Sequence, residues 1–487
     1  MCLYPQREKT PVLKTPEEYV QSLRELDPVV YIRGKRVGSV ADEPLLGPGV
    51  NAVSVTYEFA LLPEYADTMT AVSHVTGRKV NRLLHINTSQ NDLLKKLEMV
   101  RLLCRETGCA QRYLCHDALN ALYETTHNVD LHFGTEYHVK FLTYLEYLQD
   151  ADLTACVAMT DAKGDRSKRP HEQHDPDLYL RIVGRDDSGI TVRGIKAIVT
   201  GAPYTHEIIV LPTRGMTAED QDYAVSFAIP IDTEGVELVS RQAGRPGESG
   251  APLTSRYGQA TAQILFDDVF VPWDRVFLAG EWELAGSLTE SFATHHRVSC
   301  IGARAGLGDM LIGASVALAE ANGLDPRKTW HVRDKISDLI KYVESFYACG
   351  VTAAVFGKET RAGNFIPDPV YSNIGKLLQG THIYDMFRIV HDTAGGILVA
   401  SPYPEDMESP AAGERLARYL QGREDIPADY RLSVARLLED ITASYQGGWY
   451  SVISISGGGS PEATRLEIMR KYDIDERKSL AEKISGA

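Results

Sequence analysis

Long apolar runs and an excess of positive charge are both missing from this sequence of 487 residues. No uninterrupted apolar stretch approaches the roughly 18–20 residues that a membrane-spanning helix needs, so we expect no membrane partner. Lysine and arginine number 51 against 66 acidic residues, which gives a formal net charge of −15. Proteins that wrap nucleic acid need dense basic charge, so we expect no nucleic-acid partner either.

Cysteine is also scarce: the chain has seven, at positions 2, 104, 109, 115, 156, 300 and 349. A small, odd number in a long chain excludes a secreted disulfide scaffold and predicts free thiols. The segment from Met1 to Thr15 carries Arg7, Glu8 and Lys9 and lacks the apolar core of a signal peptide. We therefore expect a cytoplasmic protein.

The hydrophobic periodicity divides the chain into three regions. Residues 1–149 show a helical pattern, with Thr15-Pro16-Glu17-Glu18 typical of a capped helix start and one long buried helix predicted from Asp92 to Tyr123. Residues 150–277 alternate with a period of two, and residues 278–487 are helical again. The sequence thus predicts an α+β protein with an N-terminal helical domain, a central β domain and a C-terminal helical bundle.

The central region contains five predicted strands, and Asp-Asp-Ser-Gly at 186–189 is typical of a hairpin turn between two of them. No helical crossover fits between these segments, so antiparallel pairing is expected. The predicted strands are residues 177–185, 190–200, 206–213, 223–231 and 260–272.

Two helical segments carry side chains that could perform chemistry. In the first, Cys109, Tyr113 and His116 are spaced to share one face, with Arg112 at its edge. In the second, His296 and Cys300 are four residues apart and share a face. These groups could border a common cavity. The alternative from spacing alone is that the cysteines are small core residues and the histidines are buried, hydrogen-bonded side chains.

Several polar or glycine-rich loops could bind a cofactor. The segment Ala158 to Arg166 contains Lys163 and could clamp a flat, anionic group, and Thr200-Gly201 ends a strand in a comparable turn. The glycines at 394–396 and 456–461 could cradle a diphosphate, but a tight loop or helix end explains them equally well. The His-x-x-His spacing at 171–174 lies in a polar loop and is typical of solvated surface, so no metal site is predicted.

Five longer segments resemble one flavoprotein family, that of 4-hydroxyphenylacetate 3-monooxygenase and 4-hydroxybutyryl-CoA dehydratase. They are residues 97–117, AMTDAKGDRSKRP with DPDLYLRIV, GIKAIVTGAPYTHE, FDDVFVPWDRVFL and ATHHRVSCIGARAGLGD. The resemblance covers nearly the whole chain and is closest to the dehydratase branch. It implies an acyl-CoA-dehydrogenase-like fold, FAD as cofactor and a homotetramer.

The resemblance also assigns roles to residues. It implies FAD contacts at Met159, Thr160, Lys163, Arg166, Thr200 and Gly201. As replacement groups, we expect substrate contacts from Arg112, Cys109, Tyr204, Thr205 and Cys300, and catalytic roles for His296, Tyr113 and His116.

The sequence departs from both branches of the family. The dehydratase branch holds a four-iron, four-sulfur cluster with three cysteines and one histidine. Cys109 and His296 match two of these positions, but Tyr113 and Ala303 occupy the other two. Thiolates hold such clusters, so no iron–sulfur cluster is expected here. Two acidic residues near the dehydratase reaction centre are replaced as well, by Thr261 and Ile453.

The phenol pocket of the hydroxylase branch is also altered, because its positions correspond to Leu114, Ala118, and Cys156 or Val157.

Three functions follow from the resemblance. The first is a reduced-flavin-dependent monooxygenase, in which a separate flavin reductase supplies FADH2 and a small aromatic or enolisable substrate is hydroxylated. The second is a cluster-free acyl-CoA isomerase or dehydratase that acts on a CoA ester. The third is a non-catalytic flavin-binding protein. A small-molecule substrate is expected in the first two cases, with His296 as the acid or base because histidine titrates near neutrality.

Overall fold

The computed structural model describes residues 13–486, so Cys2 and most of the segment before Thr15 lie outside the described residues. The first helix begins as the sequence predicts. Thr15 accepts a hydrogen bond from the backbone N–H of Glu18, whose side chain accepts one from Thr15 N–H, a complete capping box. The N-terminal helices are α1 Pro16–Arg24, α2 Gly47–Leu61, α3 Ala66–Met69, α4 Gln90–Thr107, α5 Tyr113–Phe133 and α6 Tyr137–Asp150.

The prediction of one continuous helix from Asp92 to Tyr123 is wrong. Helix α4 ends at Thr107, Gly108 follows with φ +70°, and α5 starts at Tyr113. A side chain at Gly108 would lie 2.3 Å from the Tyr450 hydroxyl, so the chain turns there at a residue without a Cβ. Cys109 consequently lies in the turn between two helices.

Fourteen strands occur in the described part of the chain, and most belong to the central region. The hairpin turn predicted at 186–189 is confirmed, because it joins two paired strands. The strands are β1 Val29–Ile32, β2 Lys35–Arg36, β3 Thr70–Val72, β4 Lys79–Asn81, β5 Ala155–Ala158, β6 Arg181–Arg185, β7 Gly189–Thr200, β8 Glu207–Val210, β9 Val225–Pro230, β10 Val236–Ser240, β11 Thr261–Pro272, β12 Val276–Ala279, β13 Lys358–Glu359 and β14 Phe365–Ile366.

Two sheets pack face to face around the β core. The larger has the order β2-β1-β10-β11-β7-β6 and the smaller the order β12-β9-β8-β5. Most neighbours are antiparallel, as predicted, but β1 pairs with β10 and β5 with β8 in parallel. The antiparallel pairing expected among the five predicted strands is confirmed, and both parallel pairs involve strands that were not predicted, namely β1, β10 and β5. Each parallel pair is joined by a long connection and not by a single crossover helix. The connection from β1 to β10 includes the N-terminal helices α2 to α6, and the connection from β5 to β8 includes β6 and β7.

The C-terminal region is helical and is built around one long helix, α7 Trp282–Ala321. By length and mean hydropathy this helix could cross a membrane, but 67% of its apolar window is buried inside the protein, as in a core helix. It packs against α4 and α5 and against its C-terminal neighbours. These are α8 Trp330–Val355, α9 Pro369–Ala394, α10 Ile397–Ala400, α11 Pro404–Met407, α12 Gly413–Leu420, α13 Ala428–Thr442, α14 Tyr445–Ser456, α15 Pro461–Lys471 and α16 Ile474–Ser485.

Candidate active site

Helices α5 and α7 bring the two predicted groups of side chains together. The rings of Tyr113 and His296 stack with centroids 6.1 Å apart, and the Tyr113 hydroxyl lies 3.3 Å from Cys109 Sγ. On the other side of His296, the Nε2 atom lies 3.6 Å from Cys300 Sγ. The structure thus places Cys109, Tyr113, His296 and Cys300 in one continuous buried row.

His296 is held by a carboxylate that the sequence analysis did not select. Its Nδ1 lies 3.0 Å from Asp117 Oδ2, and because a carboxylate only accepts, Nδ1 carries the proton. The other oxygen, Oδ1, accepts hydrogen bonds from Lys96 Nζ at 2.5 Å and Ser299 Oγ at 2.9 Å. Lys96 and Asp117 are completely buried. Only the packing of α4, α5 and α7 brings these residues together.

The electrostatics of this row follow from burial and close opposite charges. Burial raises the pKa of Asp117, but Lys96, His116 and His296 outweigh this effect and hold it well below its usual value. Burial lowers the pKa of His296, but Cys300 and Asp117 outweigh that effect and raise it to about 10. At neutral pH, His296 is therefore an imidazolium ion that faces the Cys300 sulfur.

The thiols of the site differ in their environments. A hydrogen bond from the Cys104 thiol, the charge of Arg304 and the Tyr113 hydroxyl lower the pKa of Cys109 in spite of burial. Burial raises the pKa of Cys300, but the charges of His296, Lys376 and Arg304 lower it overall. The cysteines in the described residues are all free, as the sequence predicts.

The side chains around the row do not form a cluster-binding site. The Tyr113 side chain occupies the space between Cys109 and His296, and its hydroxyl contacts the sulfur that a cluster would need. Ala303 offers no donor atom. Within residues 13–486 no three His, Cys, Asp or Glu side chains are placed to hold a metal ion. The residues present therefore do not fit a four-iron, four-sulfur cluster, and we derive no chemistry from one.

His116 does not face the row as the shared-face prediction requires. It is completely buried, with Nε2 3.5 Å from Asn120 Nδ2 and Nδ1 3.8 Å from Asp117 Oδ1. Burial lowers its pKa to about 4, so the ring is neutral near pH 7. In this position His116 lies beside Asp117 in the protein interior.

Arg112 is occupied by protein groups. Its guanidinium forms an ion pair with Asp152, donates to the carbonyl of Leu153 and lies 4.1 Å from the centre of the Tyr57 ring. The predicted substrate residues Tyr204 and Thr205 also bond to the protein, through Gln259, the Ala260 N–H and the Ala202 carbonyl. These three residues line a cavity of about 10 Å³, which holds no more than one water molecule.

The predicted FAD residues lie in two adjoining segments at the edge of the β region. The carbonyl of Met159 accepts a hydrogen bond from Lys196 Nζ at 2.9 Å, and the carbonyl of Thr160 accepts one from Ala197 N–H at 2.8 Å. Both bonds fix the first segment against β7, the strand that ends at Thr200. Gly201 then turns with φ +75°. Hydrogen bonds to β7 thus hold the first segment, and the Gly201 N–H, which donates to the carbonyl of Ala260 at 2.9 Å, holds the second.

The donor set at this edge fits an anionic cofactor. Burial and the neighbouring charges of Arg166 and Arg214 lower the pKa of Lys163. The charge of Asp161 acts in the opposite direction on Lys163, but this carboxylate is already paired with Lys196 Nζ at 2.9 Å. A diphosphate such as that of FAD would neutralise this cluster, so the residues present fit FAD. Arg214 was not predicted, because it lies fifty residues from the motif and only the fold brings it close.

Other functional residues were also missed. Arg297, Arg304 and Lys376 surround Cys300, and the glycine-rich loop after α14 packs on His296 and Arg297. That loop is a helix end, one of the alternatives predicted for it. A weak signal exists only for the two arginines, which lie three residues before and four after Cys300 on the same helix.

Known proteins match nearly the whole of this chain. Family models described as 4-hydroxyphenylacetate 3-hydroxylase match residues 15–278 (N terminal) and 285–486 (C terminal). A relative from Clostridium aminobutyricum, 4-hydroxybutyryl-CoA dehydratase/vinylacetyl-CoA-Delta-isomerase, is 39% identical over 98% of this chain and 100% of its own length.

Two solved structures are similar. An oxygen-tolerant archaeal 4-hydroxybutyryl-CoA dehydratase from N. maritimus has a TM-score of 0.94 and 37% identity, covering 98% of this chain and 95% of its own. The oxygenase component of 4-hydroxyphenylacetate 3-monooxygenase complexed with FAD has a TM-score of 0.88 and 24% identity, covering 97% and 98%. The acyl-CoA-dehydrogenase-like fold predicted from the sequence is confirmed.

Proposed function

We propose that this chain, which belongs to the 4-hydroxyphenylacetate 3-hydroxylase family, is an FAD-dependent enzyme that acts on a short-chain acyl-CoA. The reaction we propose is the shift of a carbon–carbon double bond from the 3,4 to the 2,3 position of a 3-enoyl-CoA. The name of the 39% identical relative includes this isomerisation. The observation that carries the proposal is the buried Asp117–His296–Cys300 array, which can both give and take a proton.

FAD would be held by the backbone of Met159, Thr160 and Gly201 and by the cations Lys163 and Arg166. When bound, FAD supplies an electron-accepting ring beside the substrate. The protein's own residues exclude water and move the proton. This division of roles requires that the proton-transfer groups be buried, as His296 and Cys300 are.

The array holds one mobile proton between sulfur and imidazole. At neutral pH this proton lies on His296 Nε2, because Asp117 stabilises the imidazolium ion and Cys300 faces it. The imidazolium can donate the proton to C4 of a 3-enoyl thioester while the sulfur accepts one from C2. The proton then returns over the 3.6 Å from sulfur to Nε2, which restores the pair without any oxidant or reductant.

The monooxygenase function predicted from the sequence receives less support from the geometry. The cavity bordered by Leu114 and Cys156, where the resemblance locates the phenol pocket, measures about 10 Å³. That space admits no more than about one water molecule. Hydroxylation and a separate flavin reductase stay predictions of the sequence, as do the homotetramer and the cytoplasmic location.

The experiment that tests the proposal uses protein loaded with FAD and vinylacetyl-CoA in D2O without oxygen. We expect crotonyl-CoA with deuterium at C4, measured by mass spectrometry. His296→Gln removes the proton donor and should lower the rate by at least about 100-fold. His391→Gln, which alters an exposed histidine on α9 bonded to Thr442, is the matched control and should retain the wild-type rate.

Two results would contradict the proposal. Folded, FAD-loaded protein that converts no short-chain enoyl-CoA excludes the isomerase function. A hydroxylated phenol formed with FADH2 and oxygen would establish the monooxygenase function instead. If neither substrate class is converted, the third function, a non-catalytic flavin-binding protein, is supported.

A further inference from the structure

Cys300 occupies the nucleophile position of a cysteine–histidine–carboxylate arrangement. Its Sγ lies 3.6 Å from His296 Nε2, and His296 Nδ1 lies 3.0 Å from Asp117 Oδ2. In such an arrangement the carboxylate orients the imidazole, and the imidazole takes the thiol proton. Asp117 is itself fixed by Lys96 and Ser299, so the orientation is rigid. This geometry makes Cys300 a stronger nucleophile than an isolated thiol.

Two buried arginines beside Cys300 have hydrogen-bond donors to spare. Arg297 Nε donates to the carbonyl of Gly458 and Arg304 Nε donates to Ser454 Oγ. Both side chains are about 4% exposed, yet the Nη1 atom of each has no hydrogen-bond partner among the described residues. A buried donor without a partner is costly, which indicates that a ligand oxygen completes the site.

The position of Cys300 within its helix selects the type of reaction. Attack on a thioester carbonyl needs backbone N–H groups beside the sulfur to hold the oxyanion. Cys300 lies far from both ends of α7, where the N–H groups are bonded within the helix. Attack on a β-carbon instead sends charge to a distant carbonyl oxygen, which the side chains of Arg297 and Arg304 can reach.

We propose that Cys300 is a nucleophile that adds reversibly to the β-carbon of a 2-enoyl thioester. The choice of a CoA thioester rests on the proposed function; the reactivity of the thiol does not. A 3-enoyl-CoA has no electrophilic β-carbon, so with that substrate Cys300 only exchanges protons. With the conjugated isomer the same sulfur forms a covalent bond.

The addition balances without an added oxidant or reductant. The proton that the pair shares already lies on His296 Nε2, so the Cys300 thiolate forms a bond between Sγ and C3 as the C2–C3 double bond opens. The electron pair moves through C2 to the thioester oxygen. This oxygen accepts hydrogen bonds from the Nη1 atoms of Arg297 and Arg304. His296 then protonates C2, so that hydrogen and sulfur have been added across the double bond. The reverse sequence releases the enoyl thioester.

The test exposes FAD-loaded protein to acryloyl-CoA without oxygen. We expect a mass increase of one whole acryloyl-CoA, located by peptide mapping at Cys300. Cys300→Ser should abolish this adduct. Cys349→Ser is the matched control, because Cys349 is more exposed than Cys300 but lacks the charged neighbours, and it should leave the adduct unchanged.

His296→Gln should slow adduct formation by at least about tenfold, because the thiol loses its base. Labelling of Cys349 in preference to Cys300 in folded wild-type protein would overturn the proposal, as would an adduct that has lost its CoA. If a variant does not fold, the peptide map of the labelled wild-type protein alone decides whether Cys300 is the residue modified. An adduct without vinylacetyl-CoA isomerisation would refute only the proposed function, and isomerisation without an adduct would refute only this inference.

Discussion

At the scale of single residues, Asp117 organises the site because it accepts hydrogen bonds from three side chains on two neighbouring helices. Lys96 on α4 and His296 and Ser299 on α7 all bond to this one carboxylate of α5. Removing one member of a buried ion pair leaves the other charge unpaired, which costs far more than losing a pair at the surface. Catalytic geometry and stability therefore depend on the same residue.

Lys96→Met should lower the free energy of unfolding by about 3–5 kcal/mol, because it leaves Asp117 without its buried partner. The neighbouring Lys95 provides the matched control. Its ion pairs with Asp67 and Glu98 are exposed, so Lys95→Met should change stability little. Urea unfolding at pH 7 measures both, and equal effects would show that the buried pair is not the main contribution of Lys96.

At the scale of elements, glycines allow α7 to approach α4 so closely that Lys96 on α4 donates a hydrogen bond to the carbonyl of His295 on α7, at 2.7 Å. A Cβ on Gly306 would lie 2.6 Å from the carbonyl oxygen of Arg101 on α4. One on Gly302 would lie 3.0 Å from the carbonyl of Leu97. Because backbone atoms cannot move aside as side-chain ends can, larger residues here would separate the two helices.

Gly306→Ala should destabilise the protein by about 1–3 kcal/mol and reduce activity, because it pushes α4 from α7. Gly313→Ala is the control on the same helix. A Cβ there meets no atom within 4 Å, so alanine should stabilise by roughly 0.5–1 kcal/mol through helix propensity. Thermal unfolding should therefore shift in opposite directions, and a stabilising Gly306→Ala would refute the close-contact argument.

At the scale of the whole molecule, buried neutral histidines make the fold sensitive to acid. Burial lowers the pKa of His116 to about 4 and that of His295 well below its usual value. In the unfolded chain both would take up a proton near pH 6.5. Their neutral burial therefore stabilises the fold above about pH 6.5, and this contribution is lost as the pH falls toward 4.

The melting temperature should accordingly fall between pH 7 and pH 5, with His116 alone contributing about 2 kcal/mol of the loss. In His116→Gln the fall should be smaller, because one proton-binding site is removed from the unfolded chain. His132→Gln removes an exposed histidine and should follow the wild-type profile. A His116→Gln profile parallel to wild type would show that His116 does not titrate as its burial requires.

Local patterns predicted the elements better than their junctions. The capping box at Thr15, the hairpin at 186–189 and the helix–β–helix order depend on neighbouring residues and were predicted correctly. The break after Thr107 was missed, because the apolar spacing continues through Gly108 and the Tyr450 hydroxyl that requires it comes from α14. The parallel pairing of β1 with β10 was missed because its partners are two hundred residues apart.

The sequence predicted about half of the candidate site. Spacing joined His296 to Cys300 and Cys109 to Tyr113, because residues four apart lie within a few ångströms wherever the chain is helical or nearly so. The spacing allowed the two pairs to border a common cavity, but it did not identify the residue that joins them. The link is Asp117, which lies 179 positions from His296.

The sequence by itself determined the order of helical and β regions, the free thiols and the amino acids present at each position of the site. Only the tertiary structure decided their chemistry. It buried Asp117 and Lys96 together, directed His296 at Cys300, enclosed Arg112 among protein groups and gathered three cations at the flavin edge. The physical reason is that burial and the distance between charges control proton affinity and reactivity, and both quantities are defined only when distant helices pack.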